Sequence, residues 1–307
     1  MTPPPRAKAR KRIALVIGSG SVKCAAAIGI QSVLKREGFE LDMVVGCSAG
    51  AIYAAVMAAG HDAALAAEMT KRLWTKEVAN RRNTRALLQT VAPRWLRFDK
   101  ATFGLRDDRV ILQRLKSVFG DMRIEDLPTP LHIAATDLAN GEQVVLSSGP
   151  VVDAVRASIA LPFAFSPWRI GDKLLIDGFL SDPMPIGVAI RQGANVIVAA
   201  GFESPYQSSI HSAGRFAFQL SAIMSNNLFK SNYAFHSLAH HSEIIPIIPR
   251  FEERVRLFDT DKIPYIIDEG ERAMEEQMPY LRRLLAASPA SSASPTPAEP
   301  AAPTAAV

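Results

Sequence analysis

Two short stretches of this chain carry residue types that could cut an acyl bond. Gly46-Cys47-Ser48-Ala49-Gly50 breaks the apolar run Val44-Val45 and passes directly into Ala51-Ile52-Tyr53-Ala54-Ala55-Val56-Met57-Ala58-Ala59, which reads as strand, sharp turn and helix. A serine at such a turn is pushed out of the sheet edge with its hydroxyl exposed, and small neighbours leave room for a tight backbone and a substrate. The amides that open the helix have no partners inside it, so they can receive an oxyanion. A serine hydroxyl is a weak nucleophile and needs a base. Leu174-Leu175-Ile176-Asp177-Gly178 ends a second apolar run on an aspartate with space beside it. A carboxylate can serve as that base if desolvation raises its pKa toward neutrality, and the apolar loop Ile159–Trp168 could supply the desolvation. The expected chemistry is attack of Ser48 on an acyl carbonyl with Asp177 taking the proton. Amides near Gly20, Ser21 and Ala49 hold the oxyanion, and Asp177 then activates water to clear the acyl-enzyme. Asp-Gly is also a frequent turn former in its own right.

A second arrangement fits the same residues. The order Ser48, Asp177, then His236, His240 or His241 is that of a triad hydrolase. Against it, the serine follows only the second expected strand. Retained activity in His→Ala variants would separate the two. His132, inside an apolar strand, reads as a core histidine.

The elements that must position these groups follow from hydrophobic pattern. Ile13–Ile17 is a continuous apolar strand, Gly18-Ser19-Gly20-Ser21 turns it into a helix from about Val22 to Glu37, and a strand Leu41–Val45 leads to the serine. Two strand-to-helix units in succession predict a parallel sheet with helices on its faces, with ligands at the carboxyl ends of the strands. The glycine-rich turn and Ser48 both sit at such ends. The turn fails the dinucleotide pattern, because Lys23 stands where its third glycine belongs, and it fails the P-loop too. What survives is a loop of small residues whose amides can converge on an anion.

Farther along, a helix is expected from His61 to Trp74, a strand at Leu131–Ala135, and a hairpin through Asn140-Gly141 to Gln143–Leu146. Pro150 opens a helix at Val151–Ser158, and a second hairpin at Gly171-Asp172 returns to Asp177. A helix near Ile186–Arg191 precedes a strand Asn195–Ala200. Helical segments at 206–240 and Asp261–Leu285 flank a strand at Ile244–Ile248 that Pro246 interrupts.

Composition sets limits. The 307 residues carry a formal charge of +5, but residues 71–116 hold thirteen basic groups against four acids, and residues 1–12 hold five against none. Basic residues among Trp74, Trp95, Phe98 and Phe103 are suited to a lipid headgroup layer, with nucleic acid as the weaker alternative. Two cysteines, Cys24 and Cys47, exclude a disulfide framework and fit a reducing compartment. The acid- and base-free stretch from Met43 to His61 contains the serine turn and reads as buried strand plus buried helix, not a membrane span.

In this order, the Gly-rich turn, Gly46-x-Ser48-x-Gly50, Ala157-Ser158-Ile159-Ala160-Leu161-Pro162 and Leu175-Ile176-Asp177-Gly178 resemble the patatin-like phospholipase family over residues 12 to 285. The resemblance implies a three-layer α/β/α fold with a mostly parallel central sheet and a dyad of Ser48 as nucleophile and Asp177 as base. It also implies hydrolysis of lipid acyl esters without metal or organic cofactor. Gly18, Gly20, Ser21 and Ala49 are then the expected oxyanion hole, and Gly46, Gly50, Gly178 and Lys23 the motif positions. Pro162, Phe163, Phe165 and Phe179 are expected to line the substrate. The chain departs from the family pattern at Cys24, where glycine is usual, and at Phe179, where glycine or alanine is. A membrane-binding domain with a drifted glycine-rich loop is the non-enzymatic alternative. The expected organisation is a flexible basic leader (1–12), an acyl hydrolase domain (13–285) with a basic, aromatic, cap-like segment (71–120), and a disordered Ala/Pro/Ser-rich tail (286–307). The expected location is cytoplasmic, with peripheral contact to an anionic membrane and no nucleic-acid partner.

Overall fold

A computed structural model of the chain describes residues 10–73, 83–84, 99–203, 206, 209–256 and 259–286. Five of its strands form a parallel array. β1 (Ile13–Ile17) lies between β2 (Met43–Cys47) and β7 (Val196–Ala200), with β3 (Leu131–Asp137) beyond β2 and β8 (Glu243–Ile247) beyond β7. β4 (Gln143–Leu146) and β6 (Lys173–Asp177) both run antiparallel to β3, and β5 (Trp168–Ile170) pairs antiparallel with β6. The central strands β1, β2 and β7 are buried along their whole length, which is why they read as unbroken apolar runs. β8 ends the order on its side, and an edge is where Pro246 costs no ladder hydrogen bond. The strand is therefore continuous through the proline.

Alternate side chains of each strand feed two cores. Ile13, Leu15 and Ile17 face a larger core built by α1 (Ala26–Arg36), α2 (Ala49–Ala58), α3 (Ala63–Leu73), α4 (Asp108–Phe119), α5 (Val151–Ser158) and α8 (Ile263–Ala286). Ala14 and Val16 face a smaller one, covered by α6 (Ile186–Arg191) and by Phe229 and Tyr233 of α7 (Ala213–Ala239). This is the expected three-layer α/β/α arrangement. α2 is buried at every position, as a helix apolar all round must be. No described helix is long and apolar enough to cross a membrane.

Several boundaries differ from the sequence expectation. The second strand is displaced by two residues, to Met43–Cys47, and begins after Asp42, whose carboxylate accepts from the Ile13 amide at 2.7 Å. The helix after β1 begins as a 3-10 turn, Ser21–Ala25, before α1. Within the cap-like segment, α4 places Val110, Ile111, Leu115 and Phe119 in the main core. Residues 74–82 and 85–98, with Trp74, Trp95 and Phe98, lie outside the described residues, as do 1–9 of the leader and 287–307 of the tail. The leader's last residues are docked: Arg10 pairs with Asp42 at 2.6 Å, and Arg12 donates to the Gln192 carbonyl at 2.7 Å.

Candidate active site

Ser48 sits where β2 stops and α2 begins, at φ 55° and ψ −130°, a backbone conformation that side-chain-bearing residues hold only when their surroundings enforce it. Packing enforces it here. A Cβ added at Gly50 would lie 2.4 Å from the Ile17 carbonyl oxygen, and one at Gly46 would lie 2.6 Å from the Ala51 Cα. Both glycines of the pentad are steric requirements of the turn. The Ser48 amide donates to Ser158 Oγ at 2.8 Å, and fully buried Ser158 donates on to the Ala134 carbonyl at 2.6 Å. A hydroxyl from the end of α5 thus ties the nucleophile's backbone to β3.

Asp177 reaches the same point from the opposite direction. Ala134 pairs with both Cys47 and Val145, and Ala135 with both Asp177 and Val144. A strand has two edges, so β4 occupies one while β2 and β6 share the other, end to end. β2 runs parallel to β3 and β6 antiparallel to it, so the residue after β2 meets the last residue of β6. Ser48 Oγ donates to Asp177 Oδ2 at 2.8 Å across 129 residues of chain. The Phe179 amide donates to Oδ1 at 3.1 Å. The Asx-turn role and the contact with serine therefore coexist, one on each carboxylate oxygen. Asp177 is 1% exposed. Burial drives its carboxyl up to about 7, against the opposing pull of the Phe179 amide and the Ser48 hydroxyl.

None of the described histidines hydrogen-bonds to Ser48 or Asp177. His236 lies against Gly187 with its Nδ1 unpartnered, its ring 5.6 Å from that of His240. His240 and His241 are exposed beyond the end of α7. The triad arrangement is not assembled.

The expected oxyanion residues divide. The Gly18 amide is committed to the Ala200 carbonyl at 2.9 Å, and that of Ser19 to the Pro183 carbonyl at 2.7 Å. Gly18 therefore anchors the glycine-rich loop to β7 and corrects its assignment as an oxyanion donor. Gly20 and Ser21, the latter at φ 59°, form the loop's crest, and Ala49 opens α2. Lys23 reaches the Glu203 carbonyl at 3.3 Å and lies 5.6 Å over the Phe251 ring. Cys24 is buried and donates to the Gly18 carbonyl at 3.3 Å. Cys24 and Cys47 are both buried thiols pushed up by desolvation, which makes them inert.

Of the expected lining residues, Phe179 packs with Cys47, Ala134 and Leu161 beneath the dyad. Pro162 and Phe165 are half-buried, and Phe163 is exposed at φ 65°. Their loop is held at both ends of its course. The Ala160 carbonyl accepts from the Asp177 amide at 3.1 Å, and the Phe163 and Ala164 carbonyls accept from the Leu105 and Arg106 amides at 2.9 Å each.

Sequence reasoning gave no role to three groups that the fold brings here. Ser158 lay inside a quoted motif, but nothing in its type distinguished it. Arg156 was the one basic residue of a short, mostly small and apolar helix, and that was its signal. It is fully buried, its Nη2 2.8 Å from Asp108 and 2.9 Å from the Ser166 carbonyl. Asp182, a second carboxyl raised by burial to about 6, accepts from Asn232 at 3.1 Å and the Met184 amide at 3.2 Å, tying α7 to the site's floor.

The Ser158 link makes a measurable prediction. Ser158→Ala leaves the Ser48 amide and the Ala134 carbonyl unpaired, at a cost of about 1–3 kcal/mol of stability. Relaxation of the Ser48 turn should lower kcat by roughly tenfold or more with little change in KM, because orientation of the nucleophile is lost and substrate contacts are not. Steady-state kinetics on a soluble nitrophenyl ester would separate the two parameters.

Known proteins resemble this chain over much of its length. The family model described as patatin-like phospholipase matches residues 15–190. An uncharacterised NTE family protein of Mycobacterium bovis is 31% identical over 194 residues, 63% of this chain and 50% of its own. The uncharacterised protein YqhO of Bacillus subtilis is 25% identical over 260 residues, 76% of this chain and 86% of its own. Patatin-like phospholipase domain-containing protein 7 of Rattus norvegicus is 27% identical over 205 residues, 66% of this chain and 14% of its own. The chain spans about half the length of the mycobacterial relative. Among solved structures, VipD of Legionella pneumophila is similar with a TM-score of 0.47 at 16% identity, covering 88% of this chain and 67% of that one. With the family model spanning more than half of its residues, and a serine and an aspartate meeting at the ends of β2 and β6, the chain belongs to the patatin-like phospholipase family.

Proposed function

We propose that this protein is a lipid acyl hydrolase that cleaves carboxylic esters through a Ser48 acyl-enzyme, with Asp177 as general base. The observation that carries the reading is the 2.8 Å hydrogen bond from the Ser48 hydroxyl to a carboxylate that burial has brought to about 7. A carboxylate of ordinary acidity is too weak a base for a serine hydroxyl, whereas one poised near the working pH can take its proton. As Ser48 Oγ bonds to the acyl carbon, its proton passes to Asp177 Oδ2 and the carbonyl oxygen gains the negative charge. The Gly20, Ser21 and Ala49 amides are the donors for that oxygen. Collapse expels the alcohol, which takes the proton from Asp177. The regenerated carboxylate then draws a proton from water as the water oxygen attacks the acyl-enzyme, and Asp177 returns that proton to Ser48 Oγ as the acyl–oxygen bond breaks and the fatty acid leaves.

The test is product analysis after incubation with a mixed lipid extract, comparing the native protein with Ser48→Ala. Free fatty acid should appear only with the native protein, and a fluorophosphonate probe should label it and not the variant. Ester turnover by Ser48→Ala at the native rate would overturn the assignment.

A further inference from the structure

We propose that the outer face of α7 is a docking surface for an anionic phospholipid bilayer, an inference that rests on the lipid-hydrolase reading and locates where such a protein meets its substrate. α7 is a 27-residue helix, and Phe216, Leu220, Ile223, Met224, Phe235 and Leu238 are all exposed on it, Met224 at 67% and Leu238 at 89%. At 3.6 residues per turn these six fall within an arc of about 120°. They form an apolar stripe on one side of the helix in two parts, 216–224 and 235–238, with exposed Asn227 and Ser231 between them, unlike the scattered exposed side chains of an ordinary surface.

The opposite face of α7 packs on the protein. Phe229 contacts Gly201 just past β7, Asn232 holds Asp182, and His236 lies on Gly187. Phe229 thus lies at the carboxyl end of β7, the end of the sheet at which β2 presents Ser48. The first half of α7, with Phe216, Leu220, Ile223 and Met224, therefore extends beyond that end, while its second half runs back along the sheet to the start of β8. Phe163, 62% exposed, stands on the other loop of that end, three residues from the Ala160 carbonyl that receives the Asp177 amide. Phe163 and the first half of the α7 stripe thus share the end of the sheet that bears the dyad.

Charge favours lipid over another copy of this chain. Residues 204–242 contain no aspartate or glutamate, while Arg215 and Lys230 lie on α7, Lys230 paired with Glu203 at 3.4 Å. Two such faces brought together would offer Arg215 and Lys230 no carboxylate of α7 to pair with. An anionic headgroup layer would accept the cations while the stripe enters the acyl boundary.

The experiment uses the full chain carrying Ser48→Ala, so that vesicles are not consumed. Flotation with vesicles of phosphatidylglycerol and phosphatidylcholine is compared with phosphatidylcholine alone. The parent should float on the anionic vesicles, less so in high salt. Phe216→Ser, Met224→Ser and Leu238→Ser together should reduce flotation by roughly tenfold or more. All three side chains point to solvent, and a thermal melt verifies that the fold persists. In the native-serine background the triple variant should hydrolyse a short-chain nitrophenyl ester at the native rate while losing activity on vesicles. Equal flotation of parent and triple variant would overturn the proposal, as would a parent that does not float. A parent dimer dissociated by the triple variant would assign the face to a second copy and overturn it too. Loss of the hydrolase reading registers separately, because flotation is measured on a protein that cannot turn over.

Discussion

Asp177→Asn is expected to remove ester hydrolysis by about a thousandfold or more and, in the same protein, to raise stability at neutral and alkaline pH. Asparagine keeps the shape and both hydrogen bonds: its oxygen can accept from the Phe179 amide and its NH2 can donate to Ser48 Oγ. It cannot take a proton. The stability effect follows from linkage. A carboxyl whose pKa is about 7 in the fold and near 3.8 when unfolded binds more protons in the folded state throughout the interval between those values. Native stability therefore falls as pH rises from about 4 through 7, and the cost of the buried charge levels off above 7 at roughly 4 kcal/mol. The neutral amide of the variant avoids that cost. Chemical denaturation of both proteins at pH 4, 6 and 8 should show a stability difference that widens with pH in favour of the variant. Other titrating groups, Asp182 among them, are common to both proteins and cancel. The same carboxyl should give the native protein an acid limb in kcat/KM centred near pH 7, since the base works only when ionised. Equal stability differences at all three pH values would mean that Asp177 titrates normally and is too weak a base for the serine.

Asp108→Ala is expected to be the more damaging substitution for the fold, costing about 3–5 kcal/mol. Arg156 has no exposed surface, and its guanidinium lies 5.6 Å from the Phe165 ring centroid and 5.1 Å from that of Trp168. Its Nε and Nη1 make no hydrogen bonds. Asp108 is its counter-charge and also accepts from Ser166 Oγ. Without that carboxylate a cation is left buried among aromatic rings, and the loop that covers Asp177 loses its tie to α4. Replacing both members, Arg156→Met with Asp108→Ala, should recover most of the loss, because the uncompensated charge is the costly feature. Denaturation of the two singles and the double closes the cycle. The effect should also reach the chemistry. Water admitted under the loop would relieve the desolvation of Asp177, so the acid limb of kcat/KM should move to lower pH in Asp108→Ala. A stability loss with an unmoved limb would show that the loop does not desolvate the base.

What sequence alone determined here was local and periodic. The unbroken runs Ile13–Ile17 and Val196–Ala200 were legible as central strands because both of their faces are buried. The hairpin turns were legible because Gly141 and Gly171 adopt positive φ, and the serine turn because Gly46 and Gly50 flank Ser48 within five residues between an apolar strand and an apolar helix. Ser48 and Asp177 could each be picked out as a functional group at a strand end. That they touch could not be read from pattern, because their meeting depends on β2 and β6 sharing one edge of β3 from opposite directions, a pairing choice made between segments far apart in the chain. The same holds for Ser158 beneath the Ser48 amide, for Asp108 beside Arg156, and for the loss of Gly18 as a donor once β7 claims its amide. Periodicity records which face of an element is buried. Which partner a polar atom finds, and how far burial raises a carboxyl, are decided only when distant elements pack.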